Sequence, residues 1–312
     1  MGSRGLTALV FTAFLAAALP AAALQIDRTK GEASFKFLKL PLSPRIVALG
    51  GAGSALADGA GELDLNPAAP ASDSGRLVVG RGYPFSQFQA TSSVITWSIP
   101  ADGYRILVNA RYLGFDKIAG YDDVASPTSA YGAHTLKAQA GVAGMLRDLS
   151  WGATVNFAGN SVANANYAAA MVNAGLRYRV PGGFCNGLYA GLSVLNADFW
   201  DSKAQDLNNA DPFPPTAVQA GLAYSHAIGS QFAGAVAVDL RARNDEDRAW
   251  PMGAELSWRN MIIARVGFPV GEQEPAVAAG LGLRWSRFQF QYAYQGHATL
   301  GPGHFWTLDI AY

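Results

Sequence analysis

The sequence predicts an all-β fold: a transmembrane antiparallel β-barrel of about 14 strands with a short N-terminal helical plug segment. Three observations carry this expectation. From about residue 75 onward the chain breaks repeatedly into alternating segments of roughly ten residues, separated by Gly, Pro, Asn, Asp and Ser, which is the signature of barrel strands. Only 15% of the residues are charged, against roughly 25% in soluble domains, so something other than water solvates much of the surface. The 35 glycines suit closely approaching strands and tight turns better than helices.

The alternating segments lie near residues 76–82, 89–99, 104–114, 134–147, 149–159, 167–180, 187–196, 215–226, 231–241, 250–259, 261–270, 276–286, 287–296 and 304–312. In RFQFQYAYQ, residues 287–295, Phe288, Phe290, Tyr292 and Tyr294 share one row and Gln289, Gln291 and Gln295 the other. Residues 104–112 set Tyr104, Ile106, Val108, Ala110 and Tyr112 against Arg105, Asn109 and Arg111. Residues 276–286 set Val277, Ala279, Leu281, Leu283 and Trp285 against Ala278, Gly280, Gly282 and Arg284.

A soluble sandwich shows the same period of two, so periodicity alone does not choose between the two folds. Aromatic residues near strand ends (Trp97, Tyr112, Trp151, Tyr178, Trp258, Trp285 and Trp306) match the interfacial girdles of outer-membrane barrels. Closely spaced hairpins from about residue 215 onward suit an up-and-down meander without exposed edges. The last segment, HFWTLDIAY, puts Trp306, Leu308, Ile310 and Tyr312 on one row and resembles the C-terminal insertion signal of bacterial outer-membrane proteins. Apolar rows are therefore expected to face lipid, and polar rows a lumen.

The N-terminus reads as a cleavable export signal over residues 1–23: Arg4, the run LTALVFTAFLAAALPAAA, and small residues at Ala21 to Ala23. A membrane anchor is the alternative. No later run of 18 apolar residues supplies a spanning helix. Residues 24–74 are assigned to the plug segment and 75–312 to the barrel, with the outer membrane of a Gram-negative-type bacterium as the expected location. The 23 basic and 23 acidic residues cancel, which gives no field to attract nucleic acid. Cys185 stands alone and has no partner for an intrachain disulfide.

Before the strands runs RIVALGGAGSALADGAGELDLNPAAPA, residues 45–71. Its glycines imitate a dinucleotide fingerprint, but the chain lacks the alternating helices and parallel strands that such a fold needs. Its slim residues suit close packing inside a barrel, and Asn66-Pro67 forms a turn. Arg45, the run from Ala48 to Gly53 with Gly50, Gly51 and Gly53, then Ala57-Asp58 and Asn66-Pro67-Ala68 resemble the N-terminal hallmark of the PorV/PorQ family of outer-membrane proteins. FLKLPLSPR before it, and YLGFDKIAGYDD, GLSVLNA, FPPTAVQAGLAYS and GAELSWRNMIIARVGF after it, look like that family's successive segments. Two departures occur: Ala69-Pro70 replaces a Gly common after Asn-Pro-Ala, and Leu65 replaces an aromatic residue common just before it.

The resemblance implies membership of the wider FadL-like barrel group, an N-terminal segment that enters or plugs the lumen, and an accessory role in type IX protein secretion or cell-surface attachment of secreted proteins. It also implies translocon subunits and exported cargo as partners beside outer-membrane lipid. A FadL-like channel for hydrophobic small molecules is the alternative, and a scaffold for other surface proteins a third reading.

No enzyme chemistry, metal site or cofactor is read from the residues. His134, His226, His297 and His304 are scattered singly, and no nucleophile elbow, phosphate loop or paired catalytic carboxylates occur. NDEDR, residues 244–248, is expected to be a solvated hairpin tip, with a divalent-cation site as the alternative. Arg105, Arg111, Arg177, Arg179, Arg259, Arg265 and Arg284, together with Asp239 and Glu255, are expected to form a lumenal polar network with one another and with plug carbonyls, because unpaired charge in a narrow barrel is costly. A water-filled lumen, in which they need no partner, is the alternative.

Overall fold

The computed structural model describes residues 33–57, 60–68, 74–120, 126, 129–162, 165–182, 186–201, 213–271, 277–297 and 299–312. The signal region, Asp58, Ala69-Pro70 and Cys185 lie outside them. The described chain is a closed 14-stranded antiparallel barrel in which each strand pairs with its sequence neighbours and β1 closes on β14.

The strands are β1 (Arg76–Tyr83), β2 (Thr91–Ala101), β3 (Tyr104–Ile118), β4 (Tyr131–Leu146), β5 (Leu149–Val162), β6 (Ala165–Arg179) and β7 (Leu188–Asp201), followed by β8 (Ala217–Ile228), β9 (Phe232–Arg243), β10 (Trp250–Trp258), β11 (Ile262–Val270), β12 (Ala278–Trp285), β13 (Phe288–Gln295) and β14 (Gly303–Ala311). Every expected segment holds a strand. The largest differences are at β3 and β7, which run on through Ile118 and Asp201. There GFDKI and ADFWD continue the backbone ladder without an alternating apolar face, so periodicity does not reveal them.

Side-chain exposure follows the expected rows. Phe290 and Tyr294 are exposed on the outer wall while Gln289 and Gln291 are buried inside. Leu281, Leu283 and Trp285 face outward from β12, and Ala278 and Gly280 face the lumen. Trp97, Trp151, Trp258 and Trp285 form part of an exposed aromatic belt toward one end, whereas Tyr178 is buried. Outward Trp306, Leu308 and Ile310 alternate with inward Phe305, Thr307 and Asp309 on β14. A charge on this outer face is costly in lipid. Leu281→Arg is therefore expected to lower the unfolding free energy by about 2 kcal/mol in phospholipid vesicles, read from urea unfolding.

The connections between strands differ at the two ends. Residues 102–103, 147–148, 180–187, 229–231, 259–261 and 286–287 turn at the end that also carries the start of β1 and the finish of β14. Residues 84–90, 119–130, 163–164, 202–216, 244–249, 271–277 and 296–302 connect strands at the other end, most of them longer. Outer-membrane barrels generally keep their shorter turns on the periplasmic side.

Residues 33–57 and 60–68 lie inside the lumen. They contain α1 (Pro44–Ala48) and 3-10 turns at Lys36–Lys39 and Ala60–Glu62. Phe35, Phe37 and Leu38 pack at the loop end against Leu113, Ala158, Ala169 and Met171, and Phe85, Phe115 and Tyr167 surround them. From there the chain descends along the inner wall to Asn66.

Candidate functional site: the plugged lumen

Proline at its first position starts α1, and a Schellman arrangement ends it. The Gly51 N–H donates to the Ile46 carbonyl and the Gly50 N–H to the Val47 carbonyl, each at 2.9 Å. Gly50 at φ 65° and Gly51 at φ 87° adopt the left-handed backbone this cap needs. The turn directs residues 50–57 across the wall, where Leu49, Ala52, Ala55 and Leu56 pack on Ala223, Ala235 and Ala237.

Wall glycines make this approach close enough. A methyl at Gly267 would lie 2.1 Å from the Gly50 nitrogen and the Leu49 carbonyl carbon. One at Gly191 would lie 2.4 Å from the Ser54 backbone, and one at Gly152 would lie 2.2 Å from the Pro67 carbonyl oxygen. The plug is thus seated in a glycine-lined groove of the barrel wall.

Polar contacts fix the seat. Asp239 accepts hydrogen bonds from the N–H groups of Gly53 at 3.1 Å and Ser54 at 2.9 Å, and from Gln219 Nε2 at 2.6 Å. Arg177 Nε donates to the Ala55 carbonyl at 2.8 Å while its guanidinium stacks 4.3 Å above the Tyr189 ring. Asn66 Nδ2 donates to the carbonyls of Ser54 at 2.8 Å and Leu176 at 3.0 Å, and Asn66 Oδ1 accepts from the Ala68 N–H at 3.0 Å. This last bond closes an Asx turn around Pro67.

Two ionic clusters join plug to wall. In the first, Asp64 of the plug accepts from Arg111 Nη1 of β3 and Lys137 Nζ of β4, each at 2.5 Å, and Arg111 Nη2 also donates to the Leu40 carbonyl at 2.6 Å. Burial pushes the Asp64 carboxyl up, and the Arg111 and Lys137 charges outweigh it, holding it well below the usual carboxylate range. In the second, Glu255 accepts from Arg265 Nε at 2.6 Å and from Arg45 Nε at 3.2 Å, and Arg45 lies 3.9 Å from Glu62.

The arginines expected in one network are placed apart. Arg105 donates to Ser98 Oγ at 2.8 Å and the Ser74 carbonyl at 3.0 Å near the short-turn end. Arg284 bonds Gln289 and Asn260. Arg179 is exposed at the foot of β6. Arg259 stands in the β10–β11 turn with its guanidinium 5.0 Å from the Trp258 ring centroid, outside the lumen.

Residues 244–248 are not a solvated tip as a whole. Asp245 is fully buried and pairs with Lys39 of the plug, and Glu246 accepts from Lys39 Nζ at 2.9 Å and Arg243 Nη1 at 2.6 Å. Burial pushes the Glu246 carboxyl up, but Arg243 and Lys39 outweigh it and hold it at about 2. With the folded value below the ordinary 4.5, the stability this loop gains is complete above that pH and is lost as pH falls through about 2. Trp250 fluorescence is therefore expected to stay constant from neutral pH to about 5 and to change at strongly acid pH, and Glu246→Gln to flatten that change. Among the described residues no group of three or more His, Cys, Asp or Glu side chains could hold a metal ion.

Asp64, Lys137, Lys39 and Gln219 are plug contacts that the sequence reading did not single out. Lys137 was visible as a charge on the inward row of Thr135, Lys137 and Gln139, and Asp64 as its opposite charge in the glycine-rich segment.

A lipid-facing apolar wall around a charged, filled interior defines the class: a plugged 14-stranded outer-membrane β-barrel. Solved structures share the fold. The Pseudomonas putida toluene transporter TodX matches with a TM-score of 0.56 at 11% identity over 85% of this chain and 95% of that one. The Ralstonia pickettii toluene transporter TbuX gives a TM-score of 0.51 at 11% identity over 86% and 97%. The CymD monoaromatic hydrocarbon channel gives 0.56 at 12% identity over 86% and 96%. No family model and no curated protein matches the chain. These likenesses show the barrel fold alone, and none of these comparisons supports the PorV/PorQ side of the resemblance.

Proposed function

We propose that the protein is an outer-membrane channel for small hydrophobic molecules. The observation that carries this reading is a cavity of about 320 Å³ at the longer-loop end, lined by Leu40, Pro41, Val47 and Leu300 and by plug residues Gly50 and Gly51. Lys39, Arg241, Arg243, Glu246, Asp247, Gln295 and His297 supply polar groups around it. An apolar molecule gains by leaving water for such a surface, and the plug lies directly beneath it. The shared fold of toluene and monoaromatic hydrocarbon channels supports the same reading, and no comparison or geometric feature favours the type IX secretion role over it.

The test is uptake of radiolabelled toluene by cells that express the protein, against cells with the empty vector. Faster initial uptake, slowed by Val47→Asp at equal barrel abundance, is the expected result. Equal uptake in both cells, with secretion-translocon subunits or exported cargo recovered on mild-detergent purification, would return the secretion reading.

A further inference from the structure

At the opposite, short-turn end a second cavity of about 290 Å³ lies between plug and wall. Six guanidinium groups line it: Arg45, Arg76, Arg105, Arg265, Arg284 and Arg287. Only three carboxylates face them among the described residues, Glu62, Glu255 and Asp309, which leaves an excess of three positive charges. Those carboxylates are already engaged, Glu255 by Arg265 and Arg45, Glu62 by Arg45, and Asp309 by Arg76.

None of the remaining three arginines pairs with one of these carboxylates. Arg105 is held by Ser98 and a backbone carbonyl, Arg284 by Gln289 and Asn260, and Arg287 lies 5.2 Å from the Phe288 ring centroid. A second, independent feature points to a ligand. Arg265 lines the cavity with a side chain only 1% exposed, and its buried Nη1 has no hydrogen-bond partner. A buried donor left without an acceptor costs free energy that an incoming anion would recover.

We infer that this vestibule binds a small oxyanion, a carboxylate or phosphoryl group. A guanidinium presents two parallel N–H donors whose spacing matches two oxygens of such a group, which a halide does not offer. A cation would meet net repulsion, and a neutral apolar molecule would strip water from the arginines without replacing its hydrogen bonds. The site is distinct from the loop-end cavity and does not rest on the channel reading.

The test is isothermal titration of the full-length protein in detergent micelles with inorganic phosphate and, separately, with succinate, at constant ionic strength set by sodium chloride. Stoichiometric binding of at least one of them is expected, and the tighter of the two names the ligand class. The double variant Arg105→Gln/Arg284→Gln is expected to weaken binding at least about tenfold, the loss of one or more charge-assisted hydrogen bonds. Arg147→Gln, an exposed arginine in a turn at the same end, is expected to bind as the parent does. Heat-modifiable gel mobility reports folding of each variant. Should the double variant fail to fold, Arg287→Gln, which removes a ring-stacked charge, replaces it and is expected to weaken binding in the same direction. Binding of neither oxyanion above chloride, or unaltered binding in the folded arginine variants, would overturn the inference.

Discussion

Asp64→Ala is expected to lower the unfolding free energy by about 3–5 kcal/mol, because it leaves two buried cations without their anion. Arg111 and Lys137 each have side chains only 2% exposed, and both reach the same carboxylate. Urea unfolding in lipid vesicles, followed by tryptophan fluorescence, measures the loss. A second readout follows the plug itself. Ala52 is fully buried beneath the wall, so in a Cys185→Ser background an Ala52→Cys thiol reacts slowly with a maleimide. Asp64→Ala is expected to speed that reaction, since the plug then loses one of its ionic anchors. Replacing Arg111 and Lys137 by Met in the same chain is expected to restore most of the stability, because the desolvated charges are gone. A loss below about 1 kcal/mol would show that water reaches the cluster and screens it.

Gly267→Val is expected to cost about 3 kcal/mol or more and to unseat the plug. The first added carbon alone would stand 2.1 Å from the Gly50 nitrogen, and the neighbouring atoms are backbone that cannot rotate away. Overpacking of this kind normally costs about 1–3 kcal/mol where side chains can yield, and here none does. In planar bilayers the variant is expected to pass more current than the parent, because a displaced plug opens the lumen. Gly159→Ala is the matched control, since nothing lies within 4 Å of the added carbon. Parent-like stability and current in Gly267→Val would mean that the plug is not seated against β11.

The two substitutions probe features of different legibility. Asp64 and Lys137 are separated by 73 positions, and each looked like an ordinary polar residue until register placed both on one level of the lumen. In the sequence Gly267 is one strand glycine among many, and only the path of the plug gives it a steric role. The expected lumenal network was overextended for the same reason. Row parity puts Arg179 and Arg265 on equal footing, yet Arg179 sits at a strand foot in solvent and Arg265 beside Glu255.

By itself the sequence determined the strand number, the lipid-facing rows and the presence of a slim segment ahead of the barrel, because alternation and turn chemistry are properties of neighbours along the chain. Tertiary structure alone decided where that segment runs, which charges meet across it, and which end of the lumen keeps an excess of arginine. Those depend on closure of β1 on β14 and on contacts between residues far apart in sequence, which no local pattern encodes.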